Sequence, residues 1–347
     1  MIMKLLFFII GIQLSIQSFT QDSLFYYDLK EKQVEPSKAI ILGIAREETG
    51  GWMRRDYFTD SKKLAQTAHY KDHDFKIKNG DFVSFFANEQ LEEIGTYKDN
   101  KKNSFFESYF PNGMMHDSCK YINGIPTGIC YSWYIDGSLK RELRMDSIGE
   151  GEGIVVAYFP NGNISYKGRL LKGMRKAGNW TYYHENGKPA LILNYPNLDQ
   201  SILEMSPALK YDSLEGLRMD SLVEFISAKG FDEQGIEQIN PFIGYKKAEF
   251  KNGVNGWLEY IQIATYGLAN RILNETKVNN TSYIAYFNID TQGRVTDLAL
   301  SNKINSSIDK QVSNAFLNAK YWSPAIHNNR KVPIEHSQAL IFQNGNP

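Results

Sequence analysis

A period of 24 to 25 residues in the middle of the chain constrains the fold more than any other feature. In each unit, two adjacent aromatic residues are followed by a turn sequence, most often Asn-Gly. This pattern of aromatic strand, turn and return strand predicts one β-hairpin per unit, with a type I′ turn at Asn-Gly. Because stacked hairpins share a buried face, we predict an array. The aromatic pairs are Phe85-Phe86, Tyr109-Phe110, Trp133-Tyr134, Tyr158-Phe159 and Tyr182-Tyr183.

The array is predicted to span residues 54–195, with residues 56–64 as a degenerate first copy. Ser104 stands where the other units open on Gly, and Glu89 and Ser138 depart from the commoner turn sequence, so irregular turns are expected there. The units resemble MORN-type repeats, of the variant in YwqK antitoxin-like proteins. The resemblance implies a single-layer sheet that serves either as a docking surface for protein or lipid or as a rigid spacer.

Residues 248–342 follow a different pattern, that of a mixed α+β domain. Residues 283–289 alternate in polarity as a half-buried strand does, Asp290-Thr291-Gln292-Gly293 predicts a turn, and residues 295–300 form the return strand. An apolar stripe from Ile308 to Ala319 predicts a helix that ends before Pro324. With a helix over 257–272 and a last strand over 332–342, the predicted order is α-β-β-α-β.

This order of features resembles the C-terminal domain of the TonB energy transducers of Gram-negative bacteria. The resemblance is carried by "YFNIDTQGRVTDLAL", "SIDKQVSNAFLNAKYWSPA" and "KVPIEHSQALIF". It implies two helices on a three-stranded antiparallel sheet that binds an extended peptide at its edge strand. Along the last strand, we expect the docking edge at Val332, Ile334, His336 and Gln338. The alternative is that Val332 and Ile334 belong to the core.

The remaining segments are assigned by composition. Residues 1–21 predict a secretory signal peptide, because the apolar run of about 10 residues is shorter than the roughly 20 that span a bilayer. An uncleaved membrane anchor is the alternative. Residues 22–53, with the strand "AIILGIARE", are expected to cap the array, and residues 196–247 to form a connector that contains a helix near Leu217–Ile226.

The charge balance and the cysteine content indicate which partners and which cellular compartment to expect. Lys and Arg together number 39, as do Asp and Glu, so no global field favours nucleic acid, and we expect no nucleic-acid partner. Cys119 and Cys130 lie either side of the predicted reversal "INGIPTG". In an exported chain such a pair predicts either one disulfide or two buried apolar fillers.

No pattern in the sequence predicts an active site. His69 and His73 have a metal-ligand spacing, but they precede a predicted strand, which favours a solvated loop. Glu150 and Glu152 lie in a glycine-rich reversal and indicate a charged turn. The sequence contains neither a nucleophile elbow nor a Walker loop, so we predict a non-enzyme without metal or cofactor.

Three functions remain after these exclusions. The first is a periplasmic or envelope protein that binds extended segments, such as the N-terminal box of a TonB-dependent outer-membrane receptor, by strand addition. The second is a membrane-anchored energy transducer of the TonB type. A leader with no ionisable group beyond Lys4 and the absence of a long Pro-rich spacer weigh against it. The third is a structural repeat protein that forms a homodimer through its last strand.

Overall fold

The computed structural model describes residues 22–28, 32–147, 152–172, 174–197, 225–276 and 280–343. The predicted signal peptide and most of the predicted connector helix lie outside these ranges. The first sixteen strands form one antiparallel sheet in sequence order. They are β1 (Ser23–Tyr27), β2 (Ile41–Glu48), β3 (Gly51–Phe58), β4 (Leu64–Tyr70), β5 (Lys78–Phe85), β6 (Leu91–Lys98), β7 (Lys101–Tyr109), β8 (Met115–Ile122), β9 (Ile125–Trp133), β10 (Leu139–Met145), β11 (Gly153–Tyr158), β12 (Ile164–Leu171), β13 (Arg175–Tyr183), β14 (Pro189–Tyr195), β15 (Ser227–Phe231) and β16 (Glu237–Gln238).

This sheet, the repeat sheet, extends beyond the predicted array at both ends. The predicted cap "AIILGIARE" forms β2, which lies second from the edge, and β1 occupies the edge itself. After Tyr195, the predicted connector contributes β15 and β16 to the same sheet. The period-2 pattern in these flanking segments is too short to be recognised as part of the repeat. The sheet therefore extends further at both ends than the predicted array.

The Asn-Gly turns differ from the predicted type I′ geometry. Tyr109 pairs with Met115, which leaves five residues in the loop, and only Gly113 among them has a positive φ, at 83°. Two-residue turns with two positive φ values lie instead along the opposite edge of the sheet, at Asp99-Asn100 and Asn123-Gly124. The type I′ prediction is therefore wrong at the Asn-Gly that follows an aromatic pair, because the Asn there takes another role.

That role is to join each turn to the next. The Oδ1 atom of Asn112 accepts a hydrogen bond from the Met114 backbone (3.0 Å), while its Nδ2 atom donates to the Ile135 carbonyl of the following turn (2.8 Å). Asn88, Asn161 and Asn186 repeat the same link to the following turn. A ladder of asparagines thus runs down one edge of the repeat sheet, and it explains the residue preference better than the turn geometry does.

The core of the repeat sheet lies on one of its faces. Large side chains there fit against glycines of neighbouring strands, so that a Cβ on Gly168 would lie 2.2 Å from the Trp180 ring. Lys176 lies over the same cluster, with its Nζ atom 4.8 Å from the centroid of Trp180. The buried cluster consists of Phe106, Cys119, Tyr121, Cys130, Leu143, Met145, Val155, Leu170, Trp180, Tyr182, Leu191, Leu193 and Tyr195.

The C-terminal domain contains three helices and a second main sheet. Its order follows the predicted helix, hairpin, helix and strand, with the first helix divided at Gly267. The elements are β17 (Tyr245–Lys246), β18 (Glu249–Phe250), α1 (Gly253–Ala264), α2 (Leu268–Thr276), β19 (Asn280–Ile289), β20 (Val295–Leu300), α3 (Ser306–Leu317), β21 (Trp322–Ser323), β22 (Ala325–His327), β23 (Arg330–Val332) and β24 (Ile334–Gln343).

Strand order in the main C-terminal sheet is β20-β19-β24, all antiparallel. The helices cover one face of it, where Trp257 of α1 packs against Phe287 of β19 and Phe316 of α3. Tyr283 and Ile308 are fully buried in the same core. The other face of this sheet lies against the repeat sheet, so residues of β19 and β24 that point away from the helices meet the array.

Candidate functional site: the β24 edge and the cleft beside it

Four strands lie at the outer edges of the two main sheets: β1 and β16 of the repeat sheet, and β20 and β24 of the C-terminal sheet. β16 is only two residues long, and the other three edges are protected differently. At β1, residues 33–34 return along the far side, with the Val34 N–H donating to the Tyr26 carbonyl (2.9 Å). At β20, Asn88 of the repeat sheet donates its Nδ2 to the Leu300 carbonyl (3.3 Å) and its backbone N–H to the Ser301 carbonyl (2.9 Å). No strand in the described ranges pairs with the outer edge of β24.

The edge of β24 also lacks the usual features that prevent pairing. Proteins blunt an exposed edge with lysines, prolines, bulges or short strands. The β20 strand is six residues long, its pairing with β19 shifts register, and Asp297 within it has a positive φ of 55°. In contrast, β24 pairs with β19 over ten residues without a shift, and Glu335 is its one charged residue.

The hydrogen-bonding direction of β24 follows from the pairing of β19. The Ile284 N–H donates to Ser301 Oγ (2.8 Å) and its carbonyl accepts from the Ser301 N–H (2.9 Å), so the backbone of Ile284 faces β20. Alternate residues of a strand direct their backbone groups to opposite sides. Tyr283 and Ala285 therefore face β24, where they pair with Leu340 and Gln338.

The residues between those partners face outward. By the same alternation, Glu335, Ser337, Ala339 and Ile341 direct their N–H and C=O groups away from the sheet. The Ala339 carbonyl fits this assignment, because it accepts a hydrogen bond from the Gln338 side chain (2.8 Å) rather than from β19. Ser337, Ala339 and Ile341 are also exposed as side chains. The edge thus offers a continuous row of backbone donors and acceptors.

The structure distributes the four expected docking residues over two strands. Val332 lies on β23, where it pairs with Ala325 of β22, so its assignment to the last strand is wrong. Ile334, His336 and Gln338 lie on β24 with side chains toward the helices, because their partners on β19 are buried there. Asn328 and Asn329, both with positive φ, make the additional hairpin that separates Val332 from β24.

The three β24 residues have partners within the helical layer. Gln338 Oε1 accepts from Trp257 Nε1 (2.8 Å), and the His336 ring contacts Phe287 at 5.2 Å and Trp322 at 5.5 Å between centroids. Burial lowers the pKa of His336, which favours its neutral form. These three side chains thus pack against the core, which is the alternative stated above for Ile334. The edge itself offers the outward backbone groups of β24.

The opposite face of the same sheet packs on the repeat turns. Tyr286 meets Phe86 at 5.7 Å between ring centroids and lies beside Phe110 and Ile135, in a small cluster that includes Ala299. Burial raises the pKa of Tyr286 well above its usual value, so it remains protonated. Phe86 and Phe110, the aromatic residues before two of the repeat turns, therefore contact the C-terminal domain as well as their own hairpins.

A buried arginine holds the C-terminal domain to the later repeats. Arg330 of β23 is 3% exposed, donates to Ser165 Oγ (2.9 Å) and lies 5.1 Å from the centroid of Tyr182. Burial lowers its pKa to about 10. Beside it, burial lowers the pKa of His327 to about 3, with the charges of Arg330 and Lys176 acting in the same direction. This contact joins two segments that are far apart in the sequence.

Between the repeat sheet and the start of β24 lies a cleft of about 890 Å³. One wall comprises Tyr286, Asn288, Glu335 and Ser337 of the C-terminal sheet. The opposite wall is the inner face of β5 to β8, where aromatic rings lie under Lys78 and Lys102. The cleft therefore runs alongside the part of β24 at which a strand could be added.

Cys119 lines the cleft, whereas Cys130 and the candidate metal ligands do not. Cys119 and Cys130 form a disulfide between β8 and β9, with their Cα atoms 4.4 Å apart. His69 is on β4 and His73 in the turn that follows it, and within the described ranges no group of three or more His, Cys, Asp or Glu side chains could hold a metal. Nor does any described helix have the length and apolar character needed to cross a membrane.

Comparison with solved structures gives only weak similarity. Two crystal structures of TarM match, one of them an S. aureus TarM mutant in complex with Fondaparinux, alpha-GlcNAc-glycerol and UDP. Each has 14% identity and a TM-score of 0.16, and each match covers 39% of this chain. The chain spans about a fifth of those proteins, 21% and 20% of their lengths, and scores this low carry no argument. Among curated proteins, no match is found.

Comparison with protein families is more informative for the repeats. A family model described as "MORN repeat variant" matches residues 78–99 and 176–197. Each segment begins at a lysine whose Nζ lies over aromatic rings, Lys78 over Phe82 and Lys176 over Trp180, and each then covers one complete hairpin. These matches and the sixteen-stranded antiparallel sheet together show that the N-terminal part of this protein is a MORN-like array of β-hairpins.

Proposed function

We propose that this protein captures an extended polypeptide segment by adding it as a strand to the outer edge of β24. The observation that carries the proposal is the contrast among the outer strands. β1 and β20 are covered and β16 is two residues long, whereas the ten residues of β24 have no bulge and no strand partner on their outer side among the described residues. An added strand would bond to the outward groups of Glu335, Ser337, Ala339 and Ile341, since main-chain hydrogen bonds supply the affinity in this mode of recognition.

Selectivity would come from the two sides of the added strand. Successive side chains point to opposite faces, so one set would lie along the helical layer and the other along the cleft beside the repeat sheet. The array would then act both as scaffold for the C-terminal domain and as one wall of the binding site. Its contacts through Tyr286 and Arg330 support that role.

We further propose that the protein works in the cell envelope, with an outer-membrane TonB-dependent receptor as its partner. The resemblance of residues 248–342 to the TonB C-terminal domain supports this partner, and the predicted signal peptide supports export. The disulfide between Cys119 and Cys130 is of the kind that persists in oxidising compartments. An anchored transducer of the same family would use the same edge on its receptor.

The edge itself can be tested with two substitutions at one position. Ala339→Pro removes an outward N–H without removing a bond to β19, whereas Ala339→Thr keeps the N–H and suits a strand. The probes are ten-residue peptides, including receptor N-terminal boxes, titrated by isothermal calorimetry. We expect binding to wild type and to A339T, and at least tenfold weaker binding to A339P.

Two results would contradict the proposal. Equal binding to wild type and A339P would place the peptide elsewhere on the surface. A wild-type protein that sediments as a stable dimer, ignores every peptide and becomes monomeric in A339P would show that the edge pairs with a second copy, which is the structural alternative.

A further inference from the structure

The wall of the cleft nearest β24 contains two oxygen atoms without hydrogen-bond donors. Asn288 and Glu335 lie directly opposite each other in the pairing of β19 with β24, and both line the cleft. Asn288 is 2% exposed, and its Nδ2 donates to Asp297 Oδ2 (3.3 Å). Its Oδ1 accepts no hydrogen bond from any described residue. A buried acceptor without a donor is costly, which makes such an atom unusual.

Glu335 likewise has one carboxylate oxygen that accepts hydrogen bonds and one that accepts none from the described residues. Its Oε2 accepts from Lys140 Nζ (2.7 Å) and lies 3.4 Å from His116 Nε2. Its Oε1 accepts no hydrogen bond within the described part of the chain. The carboxylate therefore anchors the C-terminal sheet to the repeat sheet through one oxygen and leaves the other, on the same wall as Asn288, for a donor.

Further carboxylates surround this end of the cleft. Asp117 of β8 lies 3.1 Å from His116 Nδ1 and accepts from Ser132 Oγ (2.6 Å). Glu92 of β6 lies near Tyr286, and burial raises its pKa. The same end also has His116, Lys140 and Arg141. His116 and Lys140 are directed at acidic groups, and Arg141 Nη2 donates to Ser132 Oγ (3.1 Å). The two acceptors that lack donors among the described residues, Asn288 Oδ1 and Glu335 Oε1, favour a guest that brings N–H donors.

We infer that this end of the cleft binds an ammonium or guanidinium group. Such a group donates to several acceptors at once, so it can satisfy Asn288 Oδ1 and pair with the Glu335 carboxylate through Oε1. One source is a basic side chain of a segment added to β24, since that strand would place alternate side chains beside Glu335. This source rests on the proposed function. The other source is a free small cation, whose binding does not depend on the proposed function.

The test uses wild-type protein with matched charged and neutral probes. In the first arm, agmatine is titrated as a free guanidinium. In the second, an edge-binding peptide with a central arginine is compared with the same peptide containing citrulline, which keeps the shape and loses the charge. We expect the arginine peptide, agmatine or both to bind, and citrulline to weaken the peptide about tenfold.

A matched pair of variants assigns the effect to the site. Glu335→Gln removes the carboxylate and should abolish the preference for arginine over citrulline, or the binding of agmatine. Glu259→Gln, on the exposed face of α1, should change neither. Binding of agmatine alone identifies a free cation, and preference within the peptide alone identifies a basic side chain.

The outcomes separate this inference from the proposed function. In one outcome, peptides bind wild type and lose affinity in A339P, but they do not distinguish arginine from citrulline, and agmatine fails to bind. That outcome would overturn the cleft site and leave the edge site intact. Agmatine binding that depends on Glu335, with no peptide bound, would support the cleft site and overturn the edge site. An arginine preference that survives Glu335→Gln would also overturn the inference.

Discussion

The repeat sheet and the C-terminal sheet are both antiparallel, but they are assembled over very different sequence distances. In the repeat sheet every strand pairs with its neighbour in the sequence. In the C-terminal sheet β19 pairs with β24 across the intervening helix α3 and the β22–β23 hairpin. Local pairing lets a repeat array gain or lose stability unit by unit, whereas pairing over a long loop makes a domain cooperative.

The same difference decides which edges remain open. Each repeat covers the edge of its predecessor, and the asparagine ladder continues that protection through the turns. The C-terminal sheet ends on β24, and no described strand pairs with its outer side. The proposed binding edge thus lies in the C-terminal domain, whereas the edges of the repeat sheet are covered at β1 and only two residues long at β16.

The largest expected effect tests whether the two regions unfold separately. Phe316→Ala should destabilise the C-terminal domain by about 3 to 5 kcal/mol, because a fully buried ring in contact with Phe287 is removed. Hydrogen exchange in urea should show early loss of protection in β19 and retention in β13. The control Leu317→Ala, at an exposed position of the same helix, should have little effect. Simultaneous loss in both strands would contradict independent unfolding.

The pH dependence tests the contact that joins the regions. The pKa of His327 is lowered to about 3 from 6.5, so the folded protein keeps this ring neutral. Its contribution to the unfolding free energy is complete above about pH 6.5 and falls by about 1.4 kcal/mol per pH unit as the pH drops toward 3. Urea titrations between pH 8 and pH 4 should show a flatter slope for His327→Gln. Parallel slopes would exclude this role.

A smaller, local effect is expected within the array. Gly168→Ala would place a Cβ 2.2 Å from the Trp180 ring and should cost about 1 to 3 kcal/mol through overpacking. Because contacts are between neighbouring strands, hydrogen exchange should increase in β11 to β14 and remain unchanged in β5 to β7. Increased exchange throughout the sheet would show that the array unfolds as one unit.

The smallest expected effect is a gain in stability. Ser104 and Glu89 have φ values of 86° and 70°, where side chains are strained, so Ser104→Gly and Glu89→Gly should each stabilise by about 0.5 to 1 kcal/mol. Ser108→Gly, on the same strand as Ser104 but without a positive φ, should destabilise by a similar amount. Thermal unfolding should show a higher midpoint temperature for Ser104→Gly and Glu89→Gly and a lower one for Ser108→Gly. A loss of stability in S104G would contradict the strain argument.

Part of the site could be predicted because its signals are local. Alternation over residues 283–289 predicted β19, and the Asp290–Gly293 turn predicted the return to β20. β24 begins directly after Pro333, a residue that favours edge strands. Val332 was misplaced because the turn at Asn328-Asn329 makes a short hairpin whose strands are too brief to show a period.

The sequence by itself determined the elements: hairpins from aromatic pairs followed by Asn-Gly, and the helix and strand order of the C-terminal domain. These depend on periodicity and turn chemistry, which act over a few residues. Only the tertiary structure decided that Ile334, His336 and Gln338 point into the core, that β24 has an open edge, and that Glu335 meets His116 and Lys140 across the cleft. Those facts depend on pairing between distant segments, and no local pattern encodes which segment covers which.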